Sequence, residues 1–134
     1  MFLIDTCVVS DFVQGEPGTT QTLRSFPPHQ IGISSITVME IQFGILNNHI
    51  QTATITPFLF DFLSVITLFS FGETESKWTA KIHHQLKKQG QSIGFYDLLI
   101  AGTALQQNCI LVTSNTRKFE RIEGLILQNW RVRP

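Results

Sequence analysis

Five short apolar runs, Phe2–Ile4, Ile31–Ile33, Val65–Phe71, Ile110–Thr113 and Leu125–Leu127, have the length of strands and show no helical period. Helix-length segments lie between them. Residues 73–89 place Trp78, Ile82 and Leu86 on one face and end at Gly90, which predicts an amphipathic helix with a glycine C-cap. Residues 96–107 predict a mostly buried helix. Strands alternating with helices are joined by right-handed crossovers, so the pattern predicts an α/β fold: a mostly parallel central sheet of about four to five strands with helices on both faces. A chain of 134 residues has material for one such core, so residues 1–134 are taken as a single domain. The apolar stretch Phe62–Phe71 is bounded by Asp61 and Glu73 and is too short to span a bilayer, so it is expected to be buried strand.

In open parallel sheets, active sites lie beyond the carboxyl ends of the strands. Asp5 directly follows Phe2-Leu3-Ile4 there, where its carboxylate can bind a hard cation or simply cap the next helix. Glu40 lies in a segment where Ile36, Met39, Phe43 and Leu46 trace a core-facing helical stripe. Thr37-x-x-Glu40 matches a capping box, whereas a cap at Ser34 or Ser35 would leave the Glu40 carboxylate free in the second turn. Asp97 opens a helix too apolar to face water, so its carboxylate serves either that helix's own start or a shared site. Thr113-Ser-Asn115-Thr116 forms a second polar cluster at a strand end.

Other constellations fail on spacing. His83 and His84 are adjacent on a helix and point apart, and no His-Glu-x-x-His or glycine-rich phosphate loop occurs. Cys7 and Cys109 are too isolated for a disulfide framework or a zinc ribbon. An early Asp5 argues against a secretory leader, and together these features suggest a cytoplasmic protein. Net charge is zero, which argues against a protein that coats nucleic acid indiscriminately. Its distribution is uneven: residues 1–72 hold one base (Arg24) and five acids, and residues 73–134 hold nine bases and five acids. That asymmetry suits an acidic metal site beside a basic surface on which Lys87, Lys88, Arg117, Lys118, Arg121, Arg131 and Arg133 are candidate phosphate contacts.

The strand Asp5-Thr6, the early helical Glu40, Ile93-Gly94-x-x-Asp97-x-x-Ile100-Ala101 and Leu111-Val-Thr-x-Asn115-x-x-x-Phe119 resemble the PIN-domain family in order and spacing, and within it the VapC toxins. The resemblance extends to Gly124-Leu125 and Asn129-Trp130. It implies endonucleolytic cleavage of RNA, with Asp5, Glu40 and Asp97 as the acidic site for Mg²⁺ or Mn²⁺, ions that oxygen ligands select. It also implies a small VapB-type antitoxin and a homodimer as partners. Family members often carry another acid near Asn115 or Lys118, which this chain lacks. Asn115 and Glu120 are therefore the expected substitutes, with Thr6 and Thr113 as supporting hydroxyls. Two other readings stand beside this one. A PIN-like subunit can act by binding alone, and an aspartyl phosphotransferase also begins with an Asp at the first strand end, although Cys7 stands where it needs a second Asp.

Overall fold

The computed structural model describes residues 1–47 and 52–131, so Arg133 lies outside the described residues. Strands β1 (Phe2–Ile4), β2 (Ile31–Ser34), β3 (Thr67–Phe69), β4 (Ile110–Val112) and β5 (Leu127–Gln128) form one sheet in the order β3-β2-β1-β4-β5. Each of the four pairings is parallel. The connections carry helices α1 (Thr6–Gln14), α2 (Pro17–Ser25), α3 (Ser35–Leu46), α4 (Thr52–Val65), α5 (Glu73–Lys88) and α6 (Phe95–Gln106).

Successive strand residues point to opposite faces, so the sheet divides two cores. Leu3 and Leu111 join Ile82 and Leu86 of α5 and Leu98, Ile100 and Ala104 of α6 on one face. Ile4, Ile31, Ile33 and Val112 join Val8 and Val9 of α1, Leu23 of α2, Ile41 of α3 and Leu59 of α4 on the other. Near its end the chain returns to this second core. Trp130 is buried there against Phe26 and Phe2, with ring centroids 5.7 and 5.4 Å away. Its backbone passes so close to α2 that a Cβ on Gly18 would lie 2.8 Å from the Trp130 carbonyl oxygen and 2.7 Å from that of Arg131.

Several sequence expectations shift. Val65–Phe71 is not one buried strand: α4 runs to Val65, and β3 is a short edge strand with Leu68 exposed. Leu59, Phe62, Leu63 and Ile66 meet the core at helical spacing, a period hidden because nearly every residue around them is apolar. The last strand begins at Leu127 rather than Leu125. On α3 the expected core stripe is met only at its start: Ile36 packs against the core, but Met39, Phe43 (59 %) and Leu46 (79 %) are exposed, while Thr37 and Ile41 are buried. Helix α5 buries Ile82 and Leu86, but Trp78 is exposed, with the Lys81 ammonium 4.8 Å from its ring. Gly90 follows α5 with a left-handed φ of 66°, as its predicted capping role requires.

Candidate active site

The chain runs from β1 outward through β2 to β3, then crosses back to place β4 on the other side of β1. The crevice between β1 and β4 is thus the point where strand order reverses, and ligands of parallel sheets bind at such points. The edge is closely aligned: Ile4 pairs with Val112 and Ile33, and the Asp5 N–H donates to the Val112 carbonyl at 3.1 Å. A cleft of about 430 Å³ opens here, lined by Asp5, Thr6, Glu40, Asp97, Lys118 and Arg131 among others.

Asp5 caps a helix and faces the cleft at once. It is the N-cap of α1, accepting from the Val8 N–H at 3.0 Å, and the same carboxylate lines the cleft. The Cys7 thiol also donates to it at 2.9 Å. Burial pushes the Asp5 carboxyl above its ordinary value, opposed by the Cys7, Thr113 and Val8 hydrogen bonds and the Lys118 charge. Burial and the neighbouring Asp5 raise the Cys7 thiol, keeping it in the protonated, donating form.

Glu40 is not part of a capping box. Ser34 caps α3 by accepting from the Ile36 N–H at 2.9 Å, which leaves Glu40 in the second turn. The displaced partner, Thr37, is buried with its hydroxyl unpaired among the described residues. Thr6 donates to Glu40 Oε1 at 2.8 Å, tying the start of α1 to α3. Burial raises the Glu40 carboxyl, Asp97 and Asp5 add repulsion, and Thr6 and Lys118 oppose it. Asp97 lies in the first turn of α6, whose N-cap, Gly94, makes no side-chain hydrogen bond.

The structure thus brings Asp5, Glu40 and Asp97 to one cleft from three separate elements. Among the described residues, no three His, Cys, Asp or Glu side chains stand as a closed metal-binding set. The donors nonetheless fit a hard divalent cation: they are oxygen anions, and mutual repulsion helps hold one of them above its ordinary value. Asn115 and Glu120 are placed elsewhere, both exposed and absent from the cleft lining. After Thr113 the chain makes a 3₁₀ turn, Thr116–Lys118, that sends Lys118 inward, where its Nζ lies 2.8 Å from Asp97 Oδ2. Glu120, two residues on, faces solvent.

Sequence reasoning missed three contributors. Cys7 and Ser114, whose Sγ and Oγ lie 3.2 Å apart, link the ends of β1 and β4. Asp11, buried one helical turn beyond Cys7, lines the cleft but is taken by the Arg131 guanidinium in two bonds of 2.7 and 2.6 Å. Only the spacing Cys7 to Asp11, which puts both on one face of α1, hinted at this.

The chain as a whole is similar to known proteins. The PIN domain family matches residues 2–125. The chain is 36 % identical to Ribonuclease VapC2 of Rickettsia felis over 100 residues, covering 75 % of this chain and 74 % of that one. It is 30 % identical to Ribonuclease VapC2 of Haemophilus influenzae over 129 residues, covering 96 % and 97 %. In solved structures, VapBC2 of Rickettsia felis, bound to a DNA fragment from its promoter, superposes with a TM-score of 0.84 at 30 % identity, over 96 % of this chain and 98 % of that one. VapBC-1 of nontypeable Haemophilus influenzae gives 0.83 at 26 % identity, over 98 % of both. The chain belongs to the PIN-domain family, among its VapC ribonucleases.

Proposed function

We propose that this chain is the toxin of a toxin–antitoxin pair: a Mg²⁺- or Mn²⁺-dependent endoribonuclease that hydrolyses RNA phosphodiester bonds and is silenced by a VapB-type antitoxin. The observation that carries this reading is the meeting of Asp5, Glu40 and Asp97 in one cleft at the strand-order reversal of a PIN-domain sheet. These three would hold the ion. When bound, it supplies an activated water and neutralises charge on the phosphodiester. The protein's own groups prepare the site: Val8 and Cys7 fix the Asp5 carboxylate, and Thr6 aims Glu40. Two basic residues line the cleft, each beside a carboxylate: Lys118 at Asp97 and Arg131 at Asp11. Asn115 and Glu120 act from the adjoining loop.

The outward apolar residues of α3 support a surface that is covered in the cell by a homodimer contact and the antitoxin. Among the described residues no helix is long and apolar enough to cross a membrane. The RNA substrate places the action of the toxin in the cytoplasm. The Lys118–Asp97 pair favours one rival, a PIN-like subunit that binds RNA without cutting it. Incubating the purified chain with RNA in Mg²⁺, in Mn²⁺ and in chelator separates the two. Internal cleavage in either metal, lost in chelator and on adding the antitoxin, supports the toxin. RNA retained but uncut in every condition supports the rival.

A further inference from the structure

Building on the metal-dependent reading above, we propose that the Lys118 ammonium is a resident cation of the carboxylate cleft, filling the place of a second divalent ion, so that this chain works with one. Lys118 is a poor candidate for an incidental surface lysine. Its Nζ lies 2.8 Å from Asp97 Oδ2, and the two side chains are only 34 % and 25 % exposed. The Lys77–Glu73 pair on α5 shows the contrast, at 3.5 Å with both side chains mostly in water. The backbone around Lys118 is also fixed. Phe119 is completely buried in the core, its N–H donates to the Thr116 carbonyl at 3.0 Å, and the Lys118 ammonium lies 5.6 Å from its ring. A buried residue immediately next to it therefore holds Lys118 at the mouth of the cleft.

Charge balance sets the number of ions. Three ionised carboxylates and one ammonium leave a net charge of −2, which a single divalent ion neutralises. Two divalent ions beside the same ammonium would leave the cleft strongly positive. A site with a fourth carboxylate at this position would instead balance two ions. Asp97 is the group shared between lysine and metal, while Asp5 and Glu40, positioned by their own hydrogen bonds, remain free of ion pairs among the described residues.

The test counts ions. Mn²⁺ is titrated calorimetrically into the parent chain and into Lys118→Glu and Lys118→Met, with circular dichroism confirming that each variant is folded. The expected result is one Mn²⁺ per parent chain, two per chain in K118E, and one in K118M bound roughly tenfold more tightly, since the competing ammonium is gone. Cleavage at saturating Mn²⁺ should fall in K118M and recover in part in Lys118→Arg, which restores the charge. Two ions on the parent chain would overturn the proposal, as would unchanged stoichiometry in K118E or faster cleavage by K118M, the mark of a lysine that merely blocks the site. A parent chain that binds no Mn²⁺ yet cuts RNA in chelator would refute the metal-dependent reading beneath it.

Discussion

Arg131 closes the cleft from the far end of the chain, and replacing it with alanine isolates the strength of that closure. The Asp11 carboxylate is 5 % exposed and takes both guanidinium bonds, at 2.7 and 2.6 Å, leaving the Thr19 hydroxyl at 3.2 Å as its one other partner among the described residues. Removing one partner of a fully buried pair costs about 3–5 kcal/mol, because it leaves a charge without compensation. Half of the Arg131 side chain is in solvent, so water reaches the vacated position, and screening reduces the expected loss to about 2 kcal/mol. For a chain of this size, that corresponds to a fall in Tm of roughly 8 °C. Asp11→Ala should cost less, because the arginine it frees is already half hydrated. Urea unfolding followed by tryptophan fluorescence measures both variants and their double mutant, with an expected coupling of about 1–2 kcal/mol. If Arg131→Ala stays within about 0.5 kcal/mol of the parent, or Asp11→Ala is the costlier change, the tail is held by Trp130 packing rather than by charge.

Glu75 gives a pH signature. Although burial raises it, bonds from the Gly72 N–H at 2.9 Å, the Thr74 hydroxyl and the Gln107 amide outweigh that effect and hold it below its ordinary 4.5. A carboxyl held below its unfolded value contributes stability that is fully present above about pH 4.5 and is lost as the pH falls through the lowered folded-state value. The parent should therefore exceed Glu75→Gln in stability at pH 7 and lose that advantage progressively as the pH falls below 4.5, as denaturant midpoints followed down that range would show. Thr6→Val removes the hydroxyl that aims Glu40 and should weaken Mn²⁺ binding by roughly tenfold in calorimetry with little change in Tm. Asn115→Ala and Glu120→Ala should each lower RNA cleavage only mildly, because both residues are exposed outside the cleft. A loss rivalling that of a cleft carboxylate would mean that the loop folds inward on RNA.

Much of the fold was legible because strands at parallel-sheet positions are short, apolar and separated by helix-length connections. Legibility failed where apolar residues were continuous. Around Phe62–Val65 neither a two-residue nor a helical period stands out, so a helix end read as strand. On α3, Phe43 and Leu46 followed the helical spacing that burial usually selects and are nevertheless exposed, because spacing alone does not say which apolar stripe of a nearly all-apolar helix meets the core. Asp5, Glu40 and Asp97 were legible as a set only through the resemblance to the PIN-domain family, since each alone could equally serve a helix cap. The direction of Lys118 was not, since it depends on a 3₁₀ turn anchored by Phe119, and neither was the Arg131–Asp11 pair, which joins residues 120 positions apart.

Metal-dependent RNA cleavage, compared between the parent and Asp5→Asn, tests the three-carboxylate site most directly, because asparagine keeps an oxygen to accept from Val8 and so preserves the helix cap. The parent is expected to cut RNA internally in Mg²⁺ or Mn²⁺ and not in chelator. Asp5→Asn, folded and with a Tm near that of the parent, is expected to lose at least the roughly 100-fold that even an outer partner of a metal ligand can cost. Cleavage by Asp5→Asn at the parent's rate, or cleavage by the parent that persists in chelator, would contradict a metal site built on Asp5.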